Sequence, residues 1–110
     1  MEQPLVQQKC TACEGGIPPM TPEQIAQYRP QISEAWEVVD NKKLRRGFKF
    51  KDFKEAMAFV NKVADLAEAQ GHHPDMSIYY SKVVIELWTH KIKGLFVNDF
   101  ILAAKIDQFV

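Results

Sequence analysis

The chain has 110 residues, and its 14 basic and 14 acidic side chains cancel when the histidines are neutral. That length predicts one domain with one core. The only dense basic cluster is Lys42, Lys43, Arg45 and Arg46, which we interpret as the solvated face of a hairpin, so we expect no nucleic-acid partner. No apolar run approaches the roughly 20 residues that span a bilayer, and no secretory signal pattern is visible; we therefore expect a cytoplasmic protein without membrane contact.

The first 20 residues are polar and rich in glycine and proline, which predicts a flexible N-terminal arm at 1–20 before a single domain at 21–110. The only two cysteines, Cys10 and Cys13, lie in this arm. Their spacing could supply half of a zinc site or a redox pair. Because no second Cys-x-x-Cys exists and Gly15 and Gly16 follow closely, we interpret them as reduced thiols and expect no metal.

A helix and a hairpin are predicted next. Thr21, Pro22 and Gln24 form a helix-start pattern, so a first helix should run from there toward Pro30. Residues 36–39 and 44–50 then have aromatic and β-branched strand composition on either side of the turn residues Asp40 and Asn41. This arrangement is typical of two antiparallel strands.

The clearest periodicity predicts a long helix over residues 52–70, with Asp52 as its cap and Gly71 after its end. Its bulky apolar side chains are interpreted as core or subunit-contact residues rather than a cofactor site. They are Phe53, Met57 and Phe59. The helix should deliver His72 and His73 at its exit, where Pro74 prevents continuation.

Two further strands, 78–80 and 82–89, and a helix over 98–107 complete the predicted fold. The two-residue period of a strand places Val83, Ile85, Leu87 and Thr89 toward the helices and His90 on the other side or at the strand's end. In the last helix, Phe100, Ile101, Ala104 and Ile106 should face the core. The sequence thus predicts an α+β fold of order α-β-β-α-β-β-α, with helices on one face of a four-stranded antiparallel sheet.

All three histidines, His72, His73 and His90, fall within nineteen residues. Histidine has an unperturbed pKa of about 6.5, so it can both give and take a proton near neutral pH. The cluster therefore indicates a proton-transfer site. Two other interpretations remain: the His-His-Pro turn only ends a helix with exposed rings, or the three histidines or the two cysteines bind zinc.

A family resemblance rests on spaced residues from about 21 to 107. Three residues separate Glu68 from His72-His73-Pro74, and Tyr80, His90 and Asp99 follow at set intervals. The segments Phe48–Phe53, Thr89-His90 with Gly94-Leu95, and Ala104-x-Ile106-Asp107 add to it. In these positions the chain resembles pterin-4a-carbinolamine dehydratases.

The resemblance implies an enzyme without metal or organic cofactor. Such an enzyme dehydrates 4a-hydroxytetrahydrobiopterin to the quinonoid dihydropterin and recycles the cofactor of aromatic amino acid hydroxylases. It also implies a homodimer or homotetramer, because both occur in the family. The alternative is a non-catalytic role, since some members act as dimerisation or assembly cofactors.

The resemblance also assigns roles to particular residues. His72, His73 and His90 become acid/base candidates, with His72 and His90 favoured for direct proton transfer and His73 for holding the pterin. Asp99 should orient one of these rings. The expected pterin contacts are Glu68, Thr89 and Trp36.

One position departs from the family pattern. Phe96 stands where the family usually has Thr or Ser, a residue able to cap the last helix. The sequence therefore predicts either a slightly later helix start capped by Asn98 or a looser turn.

Overall fold

The computed structural model describes residues 4–11 and 15–110. They form three α-helices and four strands, and this α+β arrangement confirms the predicted order. The elements are α1 (Pro22–Tyr28), β1 (Glu37–Val39), β2 (Lys43–Lys49), α2 (Phe53–Gln70), β3 (Asp75–Tyr79), β4 (Lys82–Leu87) and α3 (Val97–Asp107). Single 3₁₀ turns lie at Leu5–Gln7, Arg29–Gln31 and His90–Ile92.

The helix-start pattern before α1 forms the reciprocal capping box that the sequence predicts. The backbone N–H of Gln24 donates to Thr21 Oγ1 at 3.3 Å, and Gln24 Oε1 accepts from the Thr21 N–H at 2.9 Å. The hairpin between β1 and β2 is also confirmed. Both Asp40 and Asn41 adopt positive φ, at 53° and 55°, a conformation that short polar turn residues tolerate.

Helix α2 begins and ends where its flanking residues predict. Asp52 accepts a hydrogen bond from the Glu55 N–H at 2.9 Å, and Gly71 leaves the helix in the left-handed region at φ 67°. Glycine suits this position because it has no Cβ to clash. Phe59 is buried in the core, whereas Phe53 is 49% exposed and so is not a core residue.

The sheet is antiparallel throughout, with strand order β1-β2-β4-β3. One face is apolar and meets the helices, as expected from the two-residue period. Its buried members are Leu44, Phe48, Val83, Ile85 and Leu87. Strand β3 begins at Asp75, three residues earlier than predicted, and forms one edge of the sheet.

Helix α3 is more deeply buried than one apolar stripe predicts. Eight of its eleven residues are buried, including Asn98 and Asp99. The 3₁₀ turns Leu5–Gln7 and Arg29–Gln31 both contact α3, and the apolar residues of α3 share one core with the apolar face of the sheet. In the described part of the chain, no helix is both long and apolar enough to cross a membrane.

The N-terminal segment differs from the expected flexible arm where the structure describes it. Leu5 is 2% exposed and belongs to the core, and Lys105 Nζ donates to the Val6 carbonyl at 2.7 Å. Farther on, a Cβ on Gly94 would lie 2.5 Å from Pro19 Cβ, so this close approach requires glycine. Burial of one leucine contributes about 1.5 to 3 kcal/mol, which favours packing of residues 4–11 over a free arm.

Candidate functional site

The candidate site lies where the end of α2, the end of β4 and the start of α3 meet. A cleft of about 460 Å³ opens there, within the usual range for small-molecule sites. Its lining includes all three histidines. The complete set is Thr11, Gly71, His72, His73, Pro74, Asp75, Trp88, Thr89, His90, Lys91 and Asn98.

His72 is brought to the cleft by the way α2 ends. After Gly71 turns the backbone, the His72 N–H donates to the Ala67 carbonyl at 3.3 Å, which closes the helix C-terminus. The His72 side chain is only 11% exposed, and its Nε2 lies 2.6 Å from Asp99 Oδ1. An ionised carboxylate can only accept, so Nε2 carries the proton and Nδ1 is left as the basic ring nitrogen.

Asp99 is fully buried in the first turn of α3. Besides His72, it accepts hydrogen bonds at Oδ2 from Thr89 Oγ1 at 2.8 Å and from the Phe96 N–H at 3.0 Å. A helix N-terminus also favours a negative side chain. These three donors and the helix dipole fix the carboxylate in one orientation.

At Phe96, where the chain departs from the family pattern, the structure shows neither the later helix start capped by Asn98 nor a looser turn. Helix α3 starts at Val97 with Phe96 as its N-cap residue, and the cap comes from Asp99, which accepts the Phe96 N–H. Asn98 does not cap the helix. Its side chain instead pairs with the backbone of Thr11, accepting from N–H at 2.9 Å and donating to the carbonyl at 2.6 Å.

His73 and Glu68 form a second pair at the rim of the cleft. His73 Nε2 lies 2.5 Å from Glu68 Oε2, and the two side chains are 62% and 77% exposed. Glu68 itself does not line the cleft. Its one hydrogen bond to a residue of the cleft is the contact with His73.

His90 occupies the 3₁₀ turn after β4, outside the core as predicted, with 59% of its side chain exposed. Its ring stacks on Trp88 with centroids 3.9 Å apart. Trp88 in turn donates its indole N–H to Asp75 Oδ2 at 2.9 Å. Trp88 and Asp75 are not among the site residues predicted from the sequence, although the strand period places Trp88 on the same side as His90.

Trp36 is not at this site, which corrects the expectation of a pterin contact. It is 1% exposed, packs edge-on against Phe48, and donates its indole N–H to Asp107 Oδ1 at 2.7 Å. Arg46 and the Ser33 N–H also bind Asp107. Trp36 is thus a core residue with a satisfied polar atom.

Of the two cysteines predicted to be reduced thiols, Cys10 is described by the structure and Cys13 lies outside the described residues. The Cys10 N–H donates to Gln70 Oε1 at 2.9 Å, next to the end of α2. Burial raises the pKa of the Cys10 thiol to about 11, with the negative charge of Asp99 adding to the effect and Lys105 opposing it. Within residues 4–11 and 15–110, no group of three or more His, Cys, Asp or Glu side chains is arranged to hold a metal ion.

A second cavity of about 330 Å³ lies between the N-terminal segment and the end of α3. Its only ionisable lining residue is Asp107, which already accepts three hydrogen bonds. A carboxylate held in this way has little capacity left for chemistry. The histidine-lined cleft is therefore the stronger candidate.

Comparison with known proteins shows the family of the chain. The family model for pterin 4 alpha carbinolamine dehydratase matches residues 18–109. Relatives named for the same family include one from Alkaliphilus metalliredigens, 47% identical over 94% of both chains. Another, from Rubrobacter xylanophilus, is 45% identical over 94% of this chain and 96% of the relative.

Two solved structures share the fold. A transcriptional coactivator/pterin dehydratase from Brucella melitensis has a TM-score of 0.75 and 31% identity, covering 82% of this chain and 96% of that one. A pterin dehydratase-like protein described as a RuBisCO assembly factor has a TM-score of 0.58 and 23% identity, covering 68% and 88%. The family model and the close relatives show that the chain belongs to the pterin-4α-carbinolamine dehydratase family.

Proposed function

We propose that this protein dehydrates 4a-hydroxytetrahydrobiopterin to the quinonoid dihydropterin by histidine acid/base catalysis. The observation that carries the proposal is the cleft in which the Asp99-bound His72 and the exposed His90 both present their rings. Family membership supplies the substrate class. The elimination breaks the C4a–O bond, removes the N5 proton and forms the C4a=N5 double bond, releasing one water.

The two proton transfers need two differently placed groups. A general acid protonates the departing hydroxyl, and a general base takes the N5 proton. His72 and His90 are our candidates for these steps, and His73, braced by Glu68, holds the pterin. Electrons are neither gained nor lost in this elimination, so acid/base groups suffice without a redox cofactor or metal.

Asp99 and Thr89 support His72 in this proposal. The carboxylate fixes the ring with Nδ1 as the basic atom and stabilises the imidazolium that forms when it takes a proton. The Thr89 hydroxyl donates to Asp99, so its proton is not available to the substrate. Thr89 is accordingly a positioning residue for the carboxylate instead of the pterin contact predicted from the sequence.

We also propose that the chain self-associates and that its reaction takes part in recycling the cofactor of an aromatic amino acid hydroxylase. Strand β3 is a sheet edge, and exposed apolar side chains lie on it, in the turn that follows it and on α2. They are Phe53, Ile78, Tyr79 and Tyr80. Such surfaces favour pairing with another chain, so we propose a homodimer or homotetramer, tested by light scattering coupled to gel filtration.

The experiment for the proposed function is stopped-flow absorbance with chemically generated 4a-hydroxytetrahydropterin. We expect wild-type protein to accelerate dehydration well above the buffer rate, in proportion to protein concentration. Heat-denatured protein at the same concentration serves as the control. A folded wild-type protein that leaves the buffer rate unchanged would refute the assignment.

An assembly or dimerisation role is the second candidate, because the similar Brucella protein is named both a coactivator and a dehydratase. The exposed Tyr79 and Tyr80, 62% and 68% accessible, offer a surface for it. Affinity purification from the native cell, followed by mass spectrometry, tests this role. A stoichiometric partner together with absent dehydratase activity would favour it over catalysis.

A further inference from the structure

The orientation of His90 is not explained by its own polar contacts. Its backbone lies in a tight turn closed by the Thr89 N–H, which donates to the Gly94 carbonyl at 2.8 Å, and by the Ile92 N–H, which donates to the Thr89 carbonyl at 3.2 Å. The nearest carboxylate oxygen, Asp75 Oδ2, lies 3.8 Å from His90 Nε2, beyond hydrogen-bond distance. The backbone is therefore held, but the ring needs another partner.

Trp88 supplies that partner. The two ring centroids are 3.9 Å apart and the ring planes are inclined by 27°, which is a stacked arrangement with favourable ring–ring contact. A protonated imidazole is also attracted to the negative face of an indole. The stack therefore suits both protonation states that an acid/base histidine must visit.

The indole is itself held at its other end. Trp88 Nε1–H donates to Asp75 Oδ2 at 2.9 Å, and Asp75 is the first residue of β3, paired in register with Glu86 of β4. The indole plane is thus fixed to the paired strands. A side chain more than half exposed, as His90 is, is otherwise free to change rotamer on a fast timescale.

We propose that Trp88, anchored by Asp75, is a positioning residue that sets the ring orientation of His90 in the cleft. The inference rests on the proposed function for its kinetic consequence only. The ring geometry can be tested without substrate. A placed acid or base contributes about 10² to 10⁴ in rate, so loss of its orientation should lower kcat more than it raises KM.

The first test uses the histidine ring signals in ¹H–¹³C NMR spectra at constant pH, assigned with His72→Gln, His73→Gln and His90→Gln. The indole ring current should shift the His90 ring protons upfield in the wild type. Trp88→Ala should abolish that shift, and Trp88→Phe should retain part of it. His90 signals that are the same in wild type and Trp88→Ala would overturn the proposal, whatever the activity.

The second test is kinetic. Trp88→Ala should lower kcat about tenfold with less than about a twofold change in KM, while Trp88→Phe, which keeps a stacking ring, should stay within about threefold. Asp75→Ala should lower kcat in the same direction, and Asp75→Asn, which keeps an acceptor oxygen, should be closer to wild type. Unchanged kcat in Trp88→Ala would also overturn the positioning role.

Two controls distinguish a specific change in the His90 ring from a general effect of substitution or a loss of folding. Phe109→Ala removes a partly exposed aromatic ring beyond the far end of α3 and should leave both the His90 signals and kcat unchanged. Thermal unfolding of each variant identifies any loss of fold. A wild type that stacks His90 but does not dehydrate pterin would refute the proposed function and the kinetic role, while the ring signals still decide the geometry.

Discussion

Asp99 and His72 form the closest polar contact between α3 and the end of α2, with Oδ1 2.6 Å from Nε2. The carboxylate is fully buried, and the imidazole is nearly so. Because the contact determines which ring nitrogen keeps the proton, it links the start of α3 directly to the chemistry of the cleft.

Replacement of the carboxylate should damage catalysis more than binding. In Asp99→Asn the amide can offer N–H to His72 and favour the wrong tautomer, so we expect kcat to fall about a hundredfold or more, with a smaller change in KM. Steady-state dehydration kinetics measure this effect. Asp65→Asn, on the exposed surface of α2, is the matched control, and equal activity in the two variants would contradict the assigned role.

Thr89 should contribute to stability through its hydroxyl. Thr89→Val keeps the shape of the side chain but removes one of the three donors to Asp99. We expect the free energy of unfolding to fall by about 1 to 3 kcal/mol, the usual cost of leaving a buried polar group short of a partner. Urea denaturation measures it, with Thr89→Ser retaining the hydroxyl. A Val variant as stable as the wild type would show that this hydrogen bond is unimportant.

If residues 4–11 pack on the domain, shortening a buried side chain there should lower the free energy of unfolding. The same change in a flexible arm would not. Leu5→Ala removes a side chain that is 2% exposed and should lower the free energy of unfolding by about 2 to 5 kcal/mol. Gln7→Ala changes an exposed neighbour in the same 3₁₀ turn. If both variants unfold at the same denaturant concentration as wild type, residues 4–11 do not pack on α3.

The Cys10 thiol should be slow to react. Burial raises its pKa from 9.0 to about 11, so at pH 8 the folded protein has about a hundredfold less thiolate than an unfolded chain. Alkylation of the Cys13→Ser variant, in which only Cys10 remains, should be correspondingly slower in buffer than in denaturant. Equal rates in the two conditions would contradict the buried environment.

The same pKa change has a defined effect on stability. The unfolded chain releases the Cys10 proton near pH 9.0, whereas the folded chain keeps it up to about pH 11. The Cys10 contribution to stability is therefore complete below pH 9.0 and is lost as the pH rises through 11. Denaturation of Cys13→Ser across this range should show a steeper decline than denaturation of a variant that also carries Cys10→Ser.

The features predicted best from the sequence are those that depend on residues close together in the chain. Helix α2 has a cap at Asp52, a continuous apolar period and an end at Gly71, all within one stretch of chain. His72 follows directly from that end. From the family resemblance we expected Asp99, 27 residues away, to orient one of the three histidine rings. Spacing alone does not show that the end of α2 and the start of α3 lie together, so the sequence did not identify His72 as the partner.

Features that depend on distant contacts were missed. Trp36 binds Asp107 across 71 residues, and Asn98 binds Thr11 across 87 residues. Composition gave no indication of either contact, and a Gly/Pro-rich segment is normally exposed. Trp88 is a different case: its position two residues before His90 was visible, but the sequence alone did not reveal the stack.

The most direct test of the account is the dehydration rate measured side by side for wild type, His72→Ala, His90→Ala and the double variant. We predict rapid turnover by the wild type and a loss of about a hundredfold or more in kcat for each single variant, as expected for removal of a general acid or base. Circular dichroism confirms folding of each. Folded single variants that retain the wild-type rate, or a folded wild type without activity, would contradict the claim that this cleft is a pterin dehydratase site.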